Sequence, residues 1–203
     1  MISHSNRILL ATNNKGKVRE YRSLLSHLPF EFVTPADMGI TTEVEETGKT
    51  LEENARLKAV TLAGESKLVS MADDSGLEVD ALGGEPGPLS ARYAGEGATD
   101  QERINFLLKR LEGVPQHKRT ARFRCVIAVA RPDGKVALCS GECNGTITKE
   151  PRGETGFGYD PIFYLPDFNK TMAELPLEIK NKISHRGNAA RQVPGLLAKL
   201  GII

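Results

Sequence analysis

The chain has 203 residues, which is enough for one sizeable hydrophobic core or at most two lobes that share a cleft. Its 27 lysine and arginine residues nearly balance its 26 aspartate and glutamate residues, which argues against a nucleic-acid polymer or an anionic membrane as the partner. The three cysteines are an odd number in a chain without an apolar signal segment or a membrane-length apolar run, which predicts a reduced cytoplasmic protein. Apart from a loose segment over residues 1–6, no stretch is predicted to be disordered.

The first predicted elements are a strand, a polar loop and a helix. Residues 7–11 form a short apolar run, and Val18, Tyr21 and Leu25 recur at helical spacing after the loop. The loop consists of Thr12, Asn13, Asn14, Lys15, Gly16 and Lys17. Backbone N–H groups at such a helix start, beside two ammonium groups, are suited to binding phosphate. Because the loop lacks the glycine pattern of a Walker A loop or a dinucleotide fingerprint, a polar turn with two solvated lysines remains an equal alternative.

A second predicted strand, residues 30–34, leads into an acidic loop that carries Glu43, Glu45 and Glu46. Carboxylates this close together repel one another unless they are solvated or bind a cation, and a solvated loop is the default interpretation.

The next predicted element is a helix that Thr50 and Glu53 open with a capping box and that continues to about residue 65. On this helix Asn54 and Lys58 are four residues apart and share a face, so both could contact one ligand.

The strongest catalytic signal follows a strand predicted over residues 67–72. Asp73, Asp74, Ser75 and Gly76 come directly after it, where open α/β sheets place their chemistry at the carboxyl ends of strands. Carboxylates suit Mg²⁺, which takes one or two of them and fills its other positions with water and substrate phosphate. The alternative is a turn with local side-chain hydrogen bonds, which is common for Asp-Ser-Gly.

The middle of the chain is predicted to contain a stiff loop, a helix and a long hairpin. These are, in order, the Gly- and Pro-rich residues 83–93, a helix from a capping box at Thr99 and Glu102 to Gly113, and strands 121–130 and 136–148 around a turn at 132–134.

The last quarter of the chain combines an aromatic loop with a donor cluster. Phe157, Gly158, Tyr159 and Asp160 alternate rings with glycine and end in a carboxylate. Such a loop can stack a flat base on Phe157 or Tyr159. Two helices are predicted to follow, over residues 177–184 and 189–200, with Pro194 interrupting the second. The donors Lys180, His185 and Arg186 could read the edge of a base, and the alternative is a surface turn followed by an ordinary basic helix.

Taken together, these motifs resemble the inosine triphosphate pyrophosphatase family in their order and approximate spacing, from about residue 8 to residue 200. The resemblance implies an α/β fold like that of Maf-like proteins, in which an elongated mixed sheet in two lobes is flanked by helices around a central cleft. It further implies that residues 1–203 form a single nucleoside triphosphate pyrophosphatase domain and that the protein is a homodimer.

The resemblance also assigns roles to residues and implies a reaction. The triphosphate would be held by Thr12, Asn13, Asn14, Lys15, Gly16 and Lys17, with help from Lys58. Mg²⁺ would bind to Glu45 and Asp74, Asp74 would also accept a proton, and Ser75 would touch the substrate. The base and sugar pocket would be lined by Phe157, Gly158, Tyr159 and Asp160, and the base would be read by Lys180, His185 and Arg186. The implied reaction is hydrolysis of ITP, dITP or XTP between the α and β phosphates, which yields a monophosphate and pyrophosphate.

Two alternatives remain open at this point. The first is a Maf-like pyrophosphatase that prefers modified pyrimidine nucleotides, and the second is a nucleotide-sensing module without catalysis. The clustering of Glu45, Asp73 and Asp74 with a phosphate loop argues against the second, because a sensor needs no hydrolytic water. Rejection of adenine follows from donors that face a six-carbonyl, whereas no residue pattern accounts for rejection of guanine.

Overall fold

A computed structural model of the chain describes residues 6–203. The loose segment predicted over residues 1–6 therefore lies, except for Asn6, outside the described residues. Residues 6–203 form a mixed α/β fold with one open sheet, and this confirms the predicted fold class. Among the helices of these residues, none has the length and apolar character needed to cross a membrane.

Eight strands and six α-helices lie within residues 6–203. The strands are β1 (Arg7–Leu10), β2 (Glu31–Val33), β3 (Val69–Val79), β4 (Pro86–Gly87), β5 (Thr120–Ala130), β6 (Val136–Ile147), β7 (Phe163–Leu165) and β8 (Lys170–Thr171). The helices are α1 (Lys15–Leu24), α2 (Leu51–Ser66), α3 (Asp100–Arg110), α4 (Leu177–Ile183), α5 (His185–Ala190) and α6 (Val193–Lys199).

The sheet mixes parallel and antiparallel pairs. Its strand order is β2-β1-β3-β5-β6-β7-β8, and β4 pairs with β3 outside that path. Strand β1 is parallel to both of its neighbours, with Ile8 opposite Phe32 on one side and Val69 on the other. The β3–β4, β6–β7 and β7–β8 pairs are antiparallel. The helices α1 and α2 connect the parallel strands, as parallel pairing requires.

The chain divides into two compact units, neither of which is one continuous stretch. The first unit runs to Asp74 and includes Cys125–Gly141 and Gly187–Ile203, and the second consists of Ser75–Arg124 and Glu142–Arg186.

The core of the first unit follows from the two-residue period of its strands. In β1, Ile8 and Leu10 belong to one apolar cluster and Leu9 belongs to another, because successive side chains of a strand point to opposite faces. Helices α1 and α6 supply Tyr21 and Leu197 to the first cluster, whereas the buried apolar residues of α2 pack in the second.

The core of the second unit is a single cluster. It joins Leu77 of β3, Leu107 of α3, Phe123 of β5 and Phe163 of β7. The predicted capping box of α3 is present, since Thr99 and Glu102 exchange hydrogen bonds between side chain and backbone. The helix ends at Arg110, three residues before the predicted end.

Strand β3 is longer than the sequence pattern predicts. It was expected to end at residue 72, but it runs through both aspartates to Val79, so neither the strand-end placement nor the turn alternative is correct. The apolar alternation resumes at Leu77, which pairs with Gly87 of β4. Gly76 permits this pairing because a Cβ there would lie 2.3 Å from the Gly87 carbonyl oxygen.

The C-terminal helices also differ from the prediction. The segment after Ser184 forms two helices, α5 and α6, and Pro194 lies in the first turn of α6 instead of interrupting a longer helix. A proline is tolerated there because the first N–H groups of a helix have no intrahelical partner.

Candidate active site

Two carboxylates and an ammonium form the centre of a polar cluster in the first unit. Helix α2 places Asn54 and Lys58 on one face, as their spacing predicts. The Lys58 Nζ lies 2.7 Å from the Glu46 Oε1 and 3.0 Å from the Asp74 Oδ1. The Asn54 Nδ2 donates to the Asp74 Oδ2 at 3.2 Å. We call Glu46, Asn54, Lys58 and Asp74, together with Lys17 and Asp73, the carboxylate–lysine cluster.

The two adjacent aspartates have different lysine partners. Because they lie inside β3, Asp73 and Asp74 point to opposite faces of the strand. Asp73 therefore meets α1, where the Lys17 Nζ lies 3.0 Å from its Oδ2, and Asp74 meets Lys58 of α2. Both carboxylates are buried and each has an ammonium partner.

The electrostatics of the cluster shift the pKa values of Asp74 and Lys58. Burial raises the pKa of the Asp74 carboxyl, and Lys58 opposes this rise while Glu46 adds to it. Burial by itself lowers the pKa of Lys58, but the Asp74 and Glu46 carboxylates outweigh it, so the pKa of Lys58 is raised. Lys58 is therefore an ammonium at neutral pH, and Asp74 is a stronger base than an exposed aspartate.

The predicted phosphate loop has the expected strand–loop–helix structure. Asn14 caps α1, with its Oδ1 accepting from the Lys17 N–H at 3.1 Å. The Thr12 Oγ1 accepts from the Asn14 N–H at 3.1 Å, so both side chains order the loop. Asn13 and Lys15 are exposed, and Gly16 is half-buried.

The acidic loop contributes Glu46 to the cluster, one of the three carboxylates named from the sequence but without an assigned role. Glu45, the predicted metal ligand, is exposed. The Gly48 N–H donates to the Asn54 Oδ1 at 2.8 Å, and a Cβ on Gly48 would lie 2.5 Å from that oxygen. Glycine at this position therefore lets the loop approach α2 and carry Glu46 to Lys58.

The predicted capping box of α2 is half correct. The Thr50 Oγ1 accepts from the Glu53 N–H at 3.2 Å. The Glu53 carboxylate accepts from the Lys49 N–H at 2.6 Å and not from Thr50.

In the second unit, Asp160 organises the aromatic loop. Its Oδ2 accepts from the Lys180 Nζ at 2.6 Å and from the Phe157 N–H at 2.9 Å. The Phe157 ring centroid lies 4.9 Å from the Lys180 Nζ and 5.4 Å from the Arg186 Cζ. The Arg186 Nη2 donates to the Ser75 Oγ at 3.3 Å. The structure thus brings together five predicted site residues, with the Lys180 and Arg186 cations close to the Phe157 ring and with Ser75 and Asp160 as hydrogen-bond partners.

The remaining predicted residues of this unit, Gly158, Tyr159 and His185, contact other parts of it. Tyr159 is 4% exposed and its hydroxyl donates to the Ser90 carbonyl at 2.9 Å, which leaves Phe157 as the ring able to stack a base. His185 is 4% exposed and stacks on Phe123 with centroids 4.7 Å apart. The Gly158 N–H donates to the Asp100 Oδ2 at 2.7 Å.

No local sequence pattern marks Asp100 or Phe123, because their partners Gly158 and His185 are distant in the chain. Asp73 has no predicted site role, and its contact with Lys17 depends on the face of β3 from which it projects.

The donor set fits a magnesium ion. Within residues 6–203 no group of three or more His, Cys, Asp and Glu side chains could hold a metal by itself. Mg²⁺ nevertheless needs only one or two protein carboxylates when phosphate and water complete its shell. Glu46 and Asp74 already converge on one cation, the Lys58 ammonium, so the two carboxylates are close enough to share another.

Comparisons with known proteins agree with the resemblance found in the sequence. A sequence profile of the Ham1 family matches residues 8–194. Two relatives named dITP/XTP pyrophosphatase, from Desulforamulus reducens and Geobacter sulfurreducens, are 50% and 51% identical over 196 residues, covering 97% of this chain and 98% of each relative. The structure of a HAM1 protein from Coxiella burnetii matches with a TM-score of 0.85 and 44% identity, covering 95% of this chain and 98% of that one. The predicted family relationship is therefore confirmed, and the chain belongs to the Ham1 family.

Proposed function

We propose that this protein is a dITP/XTP pyrophosphatase. It hydrolyses non-standard purine nucleoside triphosphates to the monophosphate and pyrophosphate, and so removes deaminated purines from the nucleotide pool. The observation that carries the proposal is the buried Asp74 carboxylate, held by Lys58 and Asn54 beside a loop suited to phosphate. Relatives of that name that are about half identical over nearly the whole chain support it.

The phosphate chain binds to the start of α1 and to nearby lysines. Lys15 and Lys17 follow the strand–loop–helix turn, where backbone N–H groups and the helix dipole favour anions. Lys58 adds a third positive charge. Phosphoryl and nucleotidyl transfers depend more on such charge neutralisation and alignment than on covalent help.

Asp74 together with Glu45 or Glu46 would hold Mg²⁺. When bound, the ion would neutralise charge on the phosphate oxygens and on the leaving pyrophosphate. Carboxylate oxygens are the ligands that this ion prefers.

Asp74 also receives the proton of the attacking water. The water oxygen forms a bond to the α phosphorus, the bond from that phosphorus to the bridging oxygen breaks, and pyrophosphate leaves with the bonding electrons. The Asn54 amide fixes the Asp74 carboxylate by donating to one oxygen, so the carboxylate is oriented before the reaction. Its raised pKa makes it a better proton acceptor than an exposed aspartate once it is ionised.

The base binds against Phe157, with Lys180 and Arg186 as donors. Inosine and xanthosine present a carbonyl oxygen at purine position six, whereas adenine presents an amino donor. A buried donor left without an acceptor costs about 1–3 kcal/mol, so two such mismatches would discriminate by a few hundredfold or more. Asp160 holds Lys180 and the Phe157 backbone in place for this contact.

We further propose that the protein is a cytoplasmic homodimer. None of its three cysteines forms a disulfide, and burial raises the pKa of the Cys143 thiol to about 11, which keeps it protonated. Exposed apolar side chains in the second unit, Leu89 at 53% and Phe106 at 38%, offer a surface for a second copy.

Initial rates test the function directly. Pyrophosphate release should be fastest from ITP, dITP and XTP, at least about a hundredfold slower from ATP, and lost on removal of Mg²⁺ with EDTA. A preference for thymidine or uridine triphosphate would establish the Maf-like alternative. Tight binding without turnover in excess Mg²⁺ would instead establish a sensor.

A further inference from the structure

We infer that the Lys58 ammonium is the resident counter-cation of the Glu46 and Asp74 carboxylates, that a divalent cation displaces it, and that it then binds the phosphate chain. The inference rests on the proposed function and deepens it, because it makes Lys58 the residue that couples cation binding to phosphate binding.

The Lys58 Nζ lies between two carboxylates. It lies 2.7 Å from the Glu46 Oε1 and 3.0 Å from the Asp74 Oδ1, so one ammonium bridges two carboxylates. The Lys58 side chain is only 12% exposed, and the Asp74 side chain only 8%. Water screens charges only weakly there, so the Glu46 and Asp74 carboxylates require a cation between them.

A divalent cation and the Lys58 ammonium compete for the same carboxylate oxygens. Hard oxygen donors that hold an ammonium at these distances are also the donors that Mg²⁺ prefers. A divalent cation held by both carboxylates would meet the Lys58 charge at the same oxygens, and like charges at such short range repel strongly. Lys58 must therefore release at least one carboxylate when the cation binds.

The Asp74 carboxylate and the Lys58 ammonium can separate without disrupting the site. The Asn54 amide holds the other oxygen of Asp74 at 3.2 Å, so the carboxylate keeps its orientation when the ammonium leaves. The four-carbon stem of lysine is flexible and carries a compact charge. A displaced ammonium in a half-buried position needs a new anion, and the phosphate chain supplies one.

Calorimetric titration of MgCl2 into nucleotide-free protein tests the displacement. Lys58→Met should bind Mg²⁺ about tenfold more tightly than the wild type, because the competing charge is gone. The matched control is Lys49→Met, which removes an exposed charge just before the start of α2 and should leave the Mg²⁺ affinity unchanged. Unchanged or weaker Mg²⁺ binding by Lys58→Met would overturn the inference.

The coupling is tested with inorganic pyrophosphate as the probe. In the wild type, saturating Mg²⁺ should strengthen pyrophosphate binding at least about tenfold, since the released ammonium becomes available. In Lys58→Met the gain should be several-fold smaller, because only the direct contact of the cation with pyrophosphate remains. An equal gain in the two proteins contradicts the coupling.

Lys58→Arg keeps the inference testable if Lys58→Met does not fold. Arginine retains the charge and pairs well with carboxylates, so this variant should bind Mg²⁺ no more tightly than the wild type. Tighter binding would contradict the displacement. Both binding measurements are independent of turnover: failure to hydrolyse ITP would reject the proposed function, whereas unaltered cation affinity in Lys58→Met would reject only the inference.

Discussion

At the scale of single residues, the ionised Asp74 carboxylate lowers the stability of the fold and supplies the proposed proton acceptor. Burial raises its pKa in the folded protein above the unfolded value, and Lys58 reverses this only in part. A carboxyl with a raised folded pKa contributes stability at pH values below its unfolded pKa, and that contribution is lost as the pH rises through the folded pKa. At neutral pH the ionised Asp74 therefore costs folding free energy, which is consistent with a group kept for its reactivity.

Asp74→Asn should separate these two effects. Hydrolysis of ITP should fall at least about a hundredfold, because the proton acceptor and a cation ligand are lost. In metal-free buffer at neutral pH, the variant should melt at a higher temperature than the wild type, and the difference should shrink as the pH falls below the folded pKa of Asp74. Calorimetry across this pH range and an initial-rate assay provide the two measurements.

The control for this variant is Asp133→Asn, which removes a carboxylate from the exposed hairpin turn between β5 and β6. It should change the rate of ITP hydrolysis little. If Asp74→Asn retains full activity, or if it melts below the wild type at neutral pH, the account of Asp74 is wrong.

At the scale of elements, the aromatic loop depends on one glycine more than on another. Gly156 has a φ of +81°, and a Cβ there would lie 2.1 Å from the Asp160 Oδ2. Gly158 has a φ of +62°, but a Cβ there would meet open space. Both positions favour glycine because the backbone φ is positive. Only at Gly156 would a side chain also collide with the Asp160 carboxylate, which holds Lys180.

Gly156→Ala and Gly158→Ala form a matched pair. Each should lose about 1–2 kcal/mol of stability from the left-handed backbone. Gly156→Ala should in addition displace Asp160 and raise the KM for ITP roughly tenfold or more, since Asp160 orders Lys180 and Phe157. Steady-state kinetics and urea denaturation measure the two effects. Equal KM values for the two variants would count against the positioning role of Asp160.

The start of α3 offers a second prediction at this scale. The Thr99 Oγ1 accepts from the Glu102 N–H, and the Glu102 carboxylate accepts from the Thr99 N–H. Thr99→Ala removes half of this exchange and should cost about 1 kcal/mol in urea denaturation, whereas Thr99→Ser should cost much less. A loss of similar size in both variants would show that the hydroxyl is not the cause.

Elements with local signals could be predicted from the sequence, and elements that depend on distant partners could not. The α3 capping box and the turn at residues 132–134 each act within a few residues, so α3 and the β5–β6 hairpin were correctly placed. The extension of β3 depends on pairing with β4, which no pattern near Asp73 or Asp74 reveals. The two aspartates also interrupt the apolar pattern by which a buried strand is recognised. They can be buried because lysines from other elements pair with them, and the local sequence does not show this pairing.

The same limit applies to the candidate site. Asp74 and Lys58 were named from residue type and spacing, yet the contact between them depends on which face of β3 Asp74 occupies. Glu45 and Glu46 are adjacent and chemically identical, so composition alone cannot choose between them. Gly48 lets the acidic loop approach Asn54, and Glu46 of that loop contacts Lys58. This contact depends on the position of α2, which the residue types in the loop do not specify.

At the scale of the whole molecule, the chain passes repeatedly between its two units. The first unit uses three separate stretches of chain and the second uses two, so the sequence contains no boundary that would separate them. That residues 1–203 act as a single pyrophosphatase domain remains a prediction.

The oligomeric state is the remaining prediction at this scale. Leu89 and Phe106 expose large apolar side chains in the second unit, and Phe106 contacts the Tyr93 ring edge-on with centroids 5.1 Å apart. Burying such a surface against a second copy removes it from water, whereas a charge there would have to be desolvated on association. Light scattering of the wild type should therefore give twice the chain mass of 22.1 kDa, and Phe106→Glu should weaken the dimer at least about tenfold.

Leu57→Glu places the same charge on an exposed apolar position of the first unit and should leave the dimer intact. A wild type that is monomeric at micromolar concentration, or a dimer broken only by Leu57→Glu, would show that this surface does not join two copies.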